Sequence, residues 1–315
     1  TYTGKLKILK FEGHFHGYDD YIIYNYATPL HQRKHLAQSG PYLAPYRQSK
    51  GIPENLDDYV IIIPFNDKHA LEQALKEHSN EIAAVILEPI AFNMGCVFPE
   101  DDFLTFVREI TQHYNVLLLF DEILSGFRTG ISCAQGYYGV IPDLCTLGKA
   151  LSGGLPLSVF TGRREIMEQI RPCGEADHSG TFMGHLVGVC AAIESLRMLM
   201  DPGHFKRSFA LGEKLCTGLR TIFERTRTVA VVQGIGDRFG IYFGLRSPPR
   251  NYEEVLQYDA NATRAFVRGM FKRGVYMLDA HGPKPTHHGF SAAHTEEDID
   301  YFLEAAEETL IEMKK

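Results

Sequence analysis

Runs of apolar residues alternate with helical patterns through the first 200 residues of the chain. Residues 82–87 and 116–120 are apolar at every position, which is typical of parallel strands covered on both faces. Between these runs apolar residues recur at helical spacing, namely Phe103, Leu104, Phe106, Val107 and Ile110. Strand, helix and strand therefore form a crossover unit, and the repeated alternation predicts an α/β domain with a doubly wound, mainly parallel sheet.

The pattern changes after about residue 200. A long amphipathic helical pattern is followed by two β-branched or aromatic runs and then by two more helical patterns, at residues 204–226, 229–232, 241–244, 255–273 and 295–313. Short strands mixed with helices in this way indicate an α+β arrangement. We therefore predict a large domain over residues 1–200 and a smaller C-terminal domain over residues 201–315.

The net charge limits the partners that the protein can bind, and the cysteine pattern indicates its cellular compartment. The 315 residues include 32 basic and 39 acidic side chains, a net charge of −7, which opposes binding to a nucleic-acid backbone. The 6 cysteines show no C-x-x-C spacing, as expected in a reducing cytoplasm, and no apolar run reaches the ~18 residues of a membrane span. A strand-like run begins already at Leu6, so we expect N-terminal sequence to be missing.

Acidic side chains follow two of the apolar runs, at the points where the strands are predicted to end. Asp121 and Glu122 come directly after residues 116–120, and Glu88 follows residues 82–87. Because ligands of open parallel sheets bind beyond the carboxyl ends of the strands, these acids are candidate site residues. The alternative for Asp121 is a helix cap, a common role for an aspartate before a helix.

Lys149 lies in a further short apolar run that ends in small residues, at 142–154. A lysine is ordinarily a solvated surface charge. Apolar and small neighbours would instead desolvate its amine, which lowers the pKa of a lysine and frees the nucleophilic form. The sequence thus makes Lys149 a candidate nucleophile, whereas the Ser152-Gly153-Gly154 triplet beside it is only a weak signal for a phosphate-binding loop.

These candidates belong to stretches that resemble the class III aminotransferases, the pyridoxal-phosphate enzymes of fold type I, and most closely their glutamate-1-semialdehyde aminomutase branch. The stretches follow the family's order along nearly the whole chain, at residues 11–17, 88–95, 121–128, 142–154, 179–182 and 291–298. The resemblance implies a fold type I enzyme whose cofactor is pyridoxal 5′-phosphate.

The resemblance also implies roles for individual residues. Lys149 would form the Schiff base with the cofactor aldehyde and, once substrate displaces it, would move the substrate's proton. Asp121 would pair with the pyridine nitrogen and keep it protonated, so that the ring withdraws electrons. Ile123 and Phe15 would press on the two faces of the ring. The alternative for Phe15 is a core aromatic, because it lacks the hydroxyl that a tyrosine often supplies there.

Further residues would bind the cofactor phosphate or support the site. By resemblance, Thr181 would donate its hydroxyl and N–H to the phosphate of the neighbouring subunit's cofactor, which implies a homodimer with composite sites. His16, Glu88 and Arg128 would have supporting hydrogen-bond or ion-pair roles. The family's main phosphate-binding loop normally precedes the Phe-x-Gly motif at residues 11–13, and the chain starts too late to contain it.

Three functions are compatible with these sequence features. The first is a cytoplasmic, dimeric transferase that moves an amino group between an amino acid or amine and a 2-oxo acid. The second is an intramolecular aminomutase. Residues 282–290 do not match the Pro-Ser-x-Phe-Glu segment typical of the semialdehyde mutases, and residues 178–182 look more like the branch that transaminates α- or β-amino acids, so we favour the first on this analogy.

The third function is of another class, a truncated relative kept for binding or assembly. Intact Lys149 and Asp121 disfavour it, because a protein that only binds has no need of either. A nicotinamide dehydrogenase lacks support, since no G-x-G-x-x-G follows the first strand.

Overall fold

The structure is a computed structural model, and it describes residues 1–36, 42–278 and 282–314. A six-stranded sheet has the order β2-β1-β3-β4-β5-β6. Its strands are β1 (Lys7–Phe11), β2 (Val60–Ile63), β3 (Ile82–Leu87), β4 (Leu117–Glu122), β5 (Leu144–Leu147) and β6 (Val159–Gly162). Neighbouring strands from β2 to β5 pair in parallel, and β6 pairs antiparallel with β5 at the edge. The predicted mainly parallel sheet is confirmed, with the carboxyl ends of four neighbouring strands, β1, β3, β4 and β5, along one edge.

Helices connect the strands and cover the sheet. In chain order they are α1 (Leu30–Leu36), α2 (Lys68–His78), α3 (Phe103–His113), α4 (Cys133–Tyr138), α5 (Arg164–Met167), α6 (Leu186–Leu199), α7 (Pro202–Arg225), α8 (Tyr252–Val255), α9 (Ala260–Lys272) and α10 (Glu296–Glu312). Helix α2 begins after Asp67, whose Oδ1 accepts from the N–H of Ala70 at 2.8 Å. Within the described ranges, no helix is both long and apolar enough to cross a membrane.

A smaller antiparallel sheet consists of β7 (Ala230–Ile235), β8 (Arg238–Phe243) and β9 (His288–Gly289). Its apolar side chains form one buried cluster with residues of α7, α9 and α10, among them Leu219, Phe266 and Leu310. The strand predicted at 229–232 runs from Ala230 to Ile235, and the helix predicted at 255–273 begins only at Ala260, after the separate short helix α8. The domain boundary at residue 200 stays a prediction.

The side chain of Tyr242 joins the smaller sheet to the larger one. The residue is fully buried, and its hydroxyl donates to the carbonyl of Met94 at 3.0 Å and accepts from the N–H of Cys96 at 2.6 Å. A Cβ added at Gly240 would lie 2.8 Å from the carbonyl carbon of Gly95. Glycine at 240 therefore allows β8 and the loop after β3 to meet backbone to backbone.

Exposed apolar side chains are concentrated between residues 159 and 200. All four residues of β6 are exposed, and Phe182, just before α6, is 78% exposed. Helix α6 itself leaves Leu186 and Met198 exposed at 73% and 72%. Surface regions of this apolar character mark interaction sites in soluble proteins.

Candidate active site

The two acids at the end of β4 point to opposite faces of the sheet, because side chains alternate along a strand. Asp121 lines a cavity of about 410 Å³ at the carboxyl edge. Glu122 is fully buried on the other side, where its carboxylate accepts from the N–H groups of Ala134 and Gln135 at 2.6 and 3.1 Å, at the start of α4. The capping role that the sequence left open for Asp121 therefore belongs to Glu122.

Asp121 is held as a carboxylate by three donors. His16 Nδ1 donates to Oδ2 at 2.7 Å, while the N–H of Ile123 and the hydroxyl of Thr146 donate to Oδ1 at 3.0 and 3.2 Å. Burial raises the pKa of Asp121, but the hydrogen bonds outweigh that effect and leave its pKa below the usual range. The charged form is therefore the one present at neutral pH.

His16 is a neutral ring fixed in one tautomer. Burial lowers its pKa and outweighs the opposite effect of Asp121. Because a carboxylate only accepts, the hydrogen bond to Asp121 places the proton on Nδ1. Nε2 is buried without a hydrogen-bond partner among the described residues, and it is therefore an unused acceptor at the site.

Glu88 ties the loop that carries Phe15 to the end of β3. Its carboxylate accepts from the N–H of Phe15 at 2.9 Å and from the amide of Asn93 at 3.0 Å, and its own N–H donates to His14 at 2.9 Å. Burial, followed by the charge of Asp121, raises the pKa of Glu88 to about 7. Glu88 thus positions one wall of the cavity.

The ring of Phe15 lies in an aromatic cluster and also lines the cavity. Its centroid is 4.9 Å from that of Tyr26 and 5.2 Å from that of Tyr18. The side chain is half-buried, so the ring keeps a free surface on the cavity side. The alternative role of Phe15 as a core aromatic therefore explains its contacts with the two tyrosines but not the side that faces the cavity.

Lys149 is the second residue after β5 and has left-handed backbone geometry, with a φ of +47°. Such a conformation is uncommon for a residue with a side chain and is found at functional sites. A Cβ at the preceding Gly148 would lie 3.0 Å from Cδ1 of Ile123, so glycine lets Ile123 pack against this turn. Burial lowers the pKa of Lys149, and the carboxylates of Asp121 and Glu88 reverse this only in part.

The cavity brings together most of the residues that the sequence singles out. Its lining includes Phe15, His16, Glu88, Asp121, Ile123 and Lys149. Thr181 is not part of this lining and is exposed on the apolar surface before α6. Arg128 lies outside the lining too, and its Nη1 forms an ion pair with Asp237 Oδ2 at 2.6 Å in the turn before β8.

Some lining residues were missed by sequence reasoning. Thr146 pairs in register with Asp121 across β4 and β5, so the strand alignment alone would have placed it beside the carboxylate. Asn93 lies in one of the stretches that resemble the family, but its amide gives no signal by itself. Residues 158–160 reach the cavity from β6 and the loop before it, and only the strand order brings them there.

Comparisons with known proteins agree with this geometry. The family model described as "Aminotransferase class-III" matches residues 1–310. The chain is 37% identical to a glutamate-1-semialdehyde 2,1-aminomutase of Nitrosomonas europaea over 307 residues, which are 97% of this chain and 67% of that protein. It is 38% identical to the Archaeoglobus fulgidus protein of the same name over 310 residues, 98% of this chain and 70% of that one.

Solved structures share the fold over the whole chain. An omega-transaminase from Sphaerobacter thermophilus superposes with a TM-score of 0.87 at 28% identity, covering 100% of this chain and 70% of that one. A glutamate-1-semialdehyde aminomutase from Pseudomonas aeruginosa PAO1 gives 0.82 at 25% identity, over 99% and 67%. The chain thus belongs to the class III aminotransferases and is a pyridoxal-phosphate-dependent enzyme of fold type I.

Proposed function

We propose that this protein transfers an amino group from an amino acid or amine to a 2-oxo acid. The observation that carries the proposal is that the amine of Lys149 and the carboxylate of Asp121 line one cavity. Pyridoxal 5′-phosphate, when bound, supplies an aldehyde that takes up the amino group and a ring that withdraws electrons from the reacting carbon.

The residues of the cavity fit a flat ring with a basic nitrogen and an aldehyde. Because His16 is neutral, the charge of Asp121 has no cation within ion-pair distance among the described residues, and a protonated ring nitrogen would supply one. Phe15 and Ile123 give the cavity an aromatic and an aliphatic wall. Burial lowers the pKa of Lys149, which increases the fraction of the neutral amine that reacts with an aldehyde.

Each residue then has a defined task. Asp121 holds the proton on the ring nitrogen, and His16, which donates to it at 2.7 Å, fixes the direction of the carboxylate. Glu88 holds the loop of Phe15 against the cavity through the 2.9 Å bond. Lys149 Nζ would take the proton from the α-carbon of the substrate and deliver it to the carbon that carried the cofactor aldehyde, so that the amino group would stay with the cofactor.

Intramolecular amino transfer is the second candidate. It is favoured by the curated relatives, which carry the name glutamate-1-semialdehyde 2,1-aminomutase at 37% and 38% identity. Residues 282–290 argue against intramolecular transfer, because they do not match the Pro-Ser-x-Phe-Glu segment typical of the semialdehyde mutases. We therefore keep transamination as the first proposal.

A panel of substrates separates the two reactions. Cofactor-loaded protein is incubated with a range of amino donors and either 2-oxoglutarate or pyruvate, and separately with glutamate-1-semialdehyde. We expect a keto product from at least one donor. Absence of any keto product, together with formation of 5-aminolevulinate, would reverse the order of the two proposals. Inactivity in every arm would favour the non-catalytic relative.

We further propose a homodimer built through the exposed apolar surface between residues 159 and 200. Two chains pairing through it would bury the exposed residues of β6 and α6, which gives association a hydrophobic driving force. Thr181 lies exposed on this surface, as a residue that contributes to a neighbouring subunit's site would have to. A cytoplasmic location is proposed as well, since all six cysteines are free thiols.

A subunit-mixing experiment tests the composite site. Thr181→Ala is expected to release cofactor more readily than the unmodified protein, and Lys149→Ala to be inactive. Hybrid dimers of the two variants hold one site with both residues intact, so cofactor retention and activity after mixing should exceed those of the two variants measured separately. If a mixture with demonstrated subunit exchange shows no such gain, each site is built within one chain.

A further inference from the structure

Lys284 joins the segment at residues 282–287 to the wall of the active-site cavity. Its side chain is buried, and its Nζ donates to the carbonyl of Gly13 at 3.2 Å and also to that of Asn93. Gly13 lies two residues before Phe15, and both Phe15 and Asn93 line the cavity. One ammonium group thus binds the two stretches of chain that form this wall.

The same two stretches bind the carboxylate of Glu88. It accepts from the N–H of Phe15 at 2.9 Å, and from the N–H and the side-chain amide of Asn93 at 3.3 and 3.0 Å. The donors of the two stretches therefore contact an anion, while their acceptors contact the cation of Lys284. Because both charges bind Asn93 and both are buried, water screens their mutual attraction only weakly.

Aromatic rings extend the contacts of Lys284 toward the cavity. Its Nζ lies 5.3 Å from the centroid of the Tyr26 ring, within the range of a cation–π interaction. The Tyr26 ring packs against that of Phe15, with the centroids 4.9 Å apart. A smaller cavity of about 270 Å³ is lined by Tyr26 and Lys284, and it shares Phe15 and Asn93 with the active-site cavity. Lys284 therefore supports the shared wall from behind.

His287 attaches the same segment without a charge. Its Nδ1 donates to the carbonyl of Phe92 at 3.1 Å, and the proton lies on Nδ1 because a carbonyl only accepts. Burial lowers the pKa of His287 to about 4, so its ring is neutral at neutral pH. Phe92 and Asn93 are adjacent residues, so one charged and one neutral side chain attach the segment to the same turn.

The charges around Glu88 determine how readily it ionises. Burial, followed by the charge of Asp121, raises the pKa of Glu88 to about 7, and the charge of Lys284 acts in the opposite direction. Removal of that charge would raise the pKa further. The other titratable groups that face Glu88 are Lys10, His14 and Lys149.

Lys284 is the more fully charged of the two buried lysines near Glu88. Burial lowers the pKa of Lys284 to about 8, against the effect of Glu88, whereas it lowers the pKa of Lys10 to about 7. Burial also lowers the pKa of His14 well below its usual value, so this ring is neutral. At neutral pH Lys284 is thus the principal cation behind the wall.

We propose that Lys284 is a positioning residue, whose ammonium group keeps Glu88 ionised and, together with Glu88, holds Phe15 and Asn93 in place at the wall of the active-site cavity. The proposal rests on the proposed function, because that function requires pyridoxal 5′-phosphate against this wall. It extends the determinants of the site to the segment at residues 282–287. Removing one of two mutually stabilising buried charges leaves the other uncompensated.

The test removes the charge of Lys284 in two ways. Lys284→Gln keeps a hydrogen-bond donor for the carbonyls, whereas Lys284→Met keeps only an apolar side chain. The dissociation constant of pyridoxal 5′-phosphate is measured by its absorbance across the neutral pH range. Binding should weaken as pH falls and Glu88 is protonated, and both variants should shift the midpoint of this change to higher pH by about one unit. The ionised fraction of Glu88 at neutral pH would then fall from about one half to about one tenth, so the dissociation constant should rise about fivefold.

Two further variants separate the charge from the attachment of the segment. His287→Phe removes the neutral attachment and should leave the midpoint where it is. In a Glu88→Gln background, Lys284→Gln should have no further effect on the pH dependence, because the group on which the charge acts is gone.

Three results would overturn the proposal. They are an unchanged midpoint in both Lys284 variants, an equal shift in His287→Phe, and a shift that persists in the Glu88→Gln background. If neither single variant folds, Lys284→Met combined with Glu88→Gln decides. Recovery of folded, cofactor-binding protein would support the proposal, because both charges are then removed together. Failure to fold would assign Lys284 a structural role only.

The proposed function can fail separately, since cofactor binding requires no amino donor. If the donor panel yields no keto product while the midpoint still depends on Lys284, the positioning role stands and transamination falls. If a keto product forms and the midpoint does not depend on Lys284, transamination stands and the positioning role falls.

Discussion

Lys149→Ala is expected to lower kcat by about four orders of magnitude or more, because the amine both attaches the cofactor and moves the substrate's proton. Lys149 lines the cavity, and burial lowers its pKa, which favours the neutral, reactive form of the amine. The measurement is the turnover of the best donor found in the panel, together with bleaching of the cofactor colour by borohydride, which traps the covalently attached form.

The matched control is Lys76→Ala, which removes an exposed lysine from α2. Its kcat should equal that of the unmodified protein, and both variants should unfold at the same temperature. Near-normal turnover in Lys149→Ala would remove the assignment of the catalytic lysine.

Asp121→Asn should lower kcat by about a hundredfold or more. The amide keeps the shape of the side chain but removes the negative charge that stabilises a protonated ring nitrogen. The three hydrogen bonds that hold the carboxylate at 2.7 to 3.2 Å show that the site is arranged around an anion. Stopped-flow measurement of the first half-reaction checks the rate without interference from product release.

Glu122→Gln is the control for this variant, since Glu122 lies one residue further along β4 and faces the opposite side. It should keep kcat and lower the free energy of unfolding by about 1–3 kcal/mol, because the N–H groups at the start of α4 lose a charged acceptor. An Asp121→Asn variant with near-normal rates and reduced stability would instead assign a structural role to Asp121.

Much of the large sheet could be predicted from the sequence because its strands are covered on both faces. Continuous apolar runs located β3 to the residue and β4 to within two residues. The end of β4 was not predicted correctly, because the strand continues past the apolar run through Asp121 and Glu122. Only the observed strand end shows which acid faces the cavity and which one caps α4.

Residues that reach the site from distant segments could not be predicted. Lys284 is buried, and its Nζ donates to the carbonyl of Gly13 at 3.2 Å, across 271 positions of sequence, and also to that of Asn93. The segment around it has several prolines and no apolar period. Arg238 of β8 precedes the run predicted at residues 241–244, so the hydrophobic pattern gives no signal for it. Tertiary contacts, which local sequence patterns do not predict, create the surroundings of both residues.

The contact between the two sheets at Tyr242 affects how substrate can enter the active site. A swing of the small sheet away from the large one would break both hydrogen bonds of a fully buried hydroxyl and separate Gly240 from Gly95. Leaving a buried donor and acceptor unsatisfied costs about 1–3 kcal/mol for each group. The contacts of Tyr242 and Gly240 therefore oppose a separation of the two sheets. We therefore expect substrate and product to pass by movement of loops and side chains at the rim rather than by a swing of the small sheet.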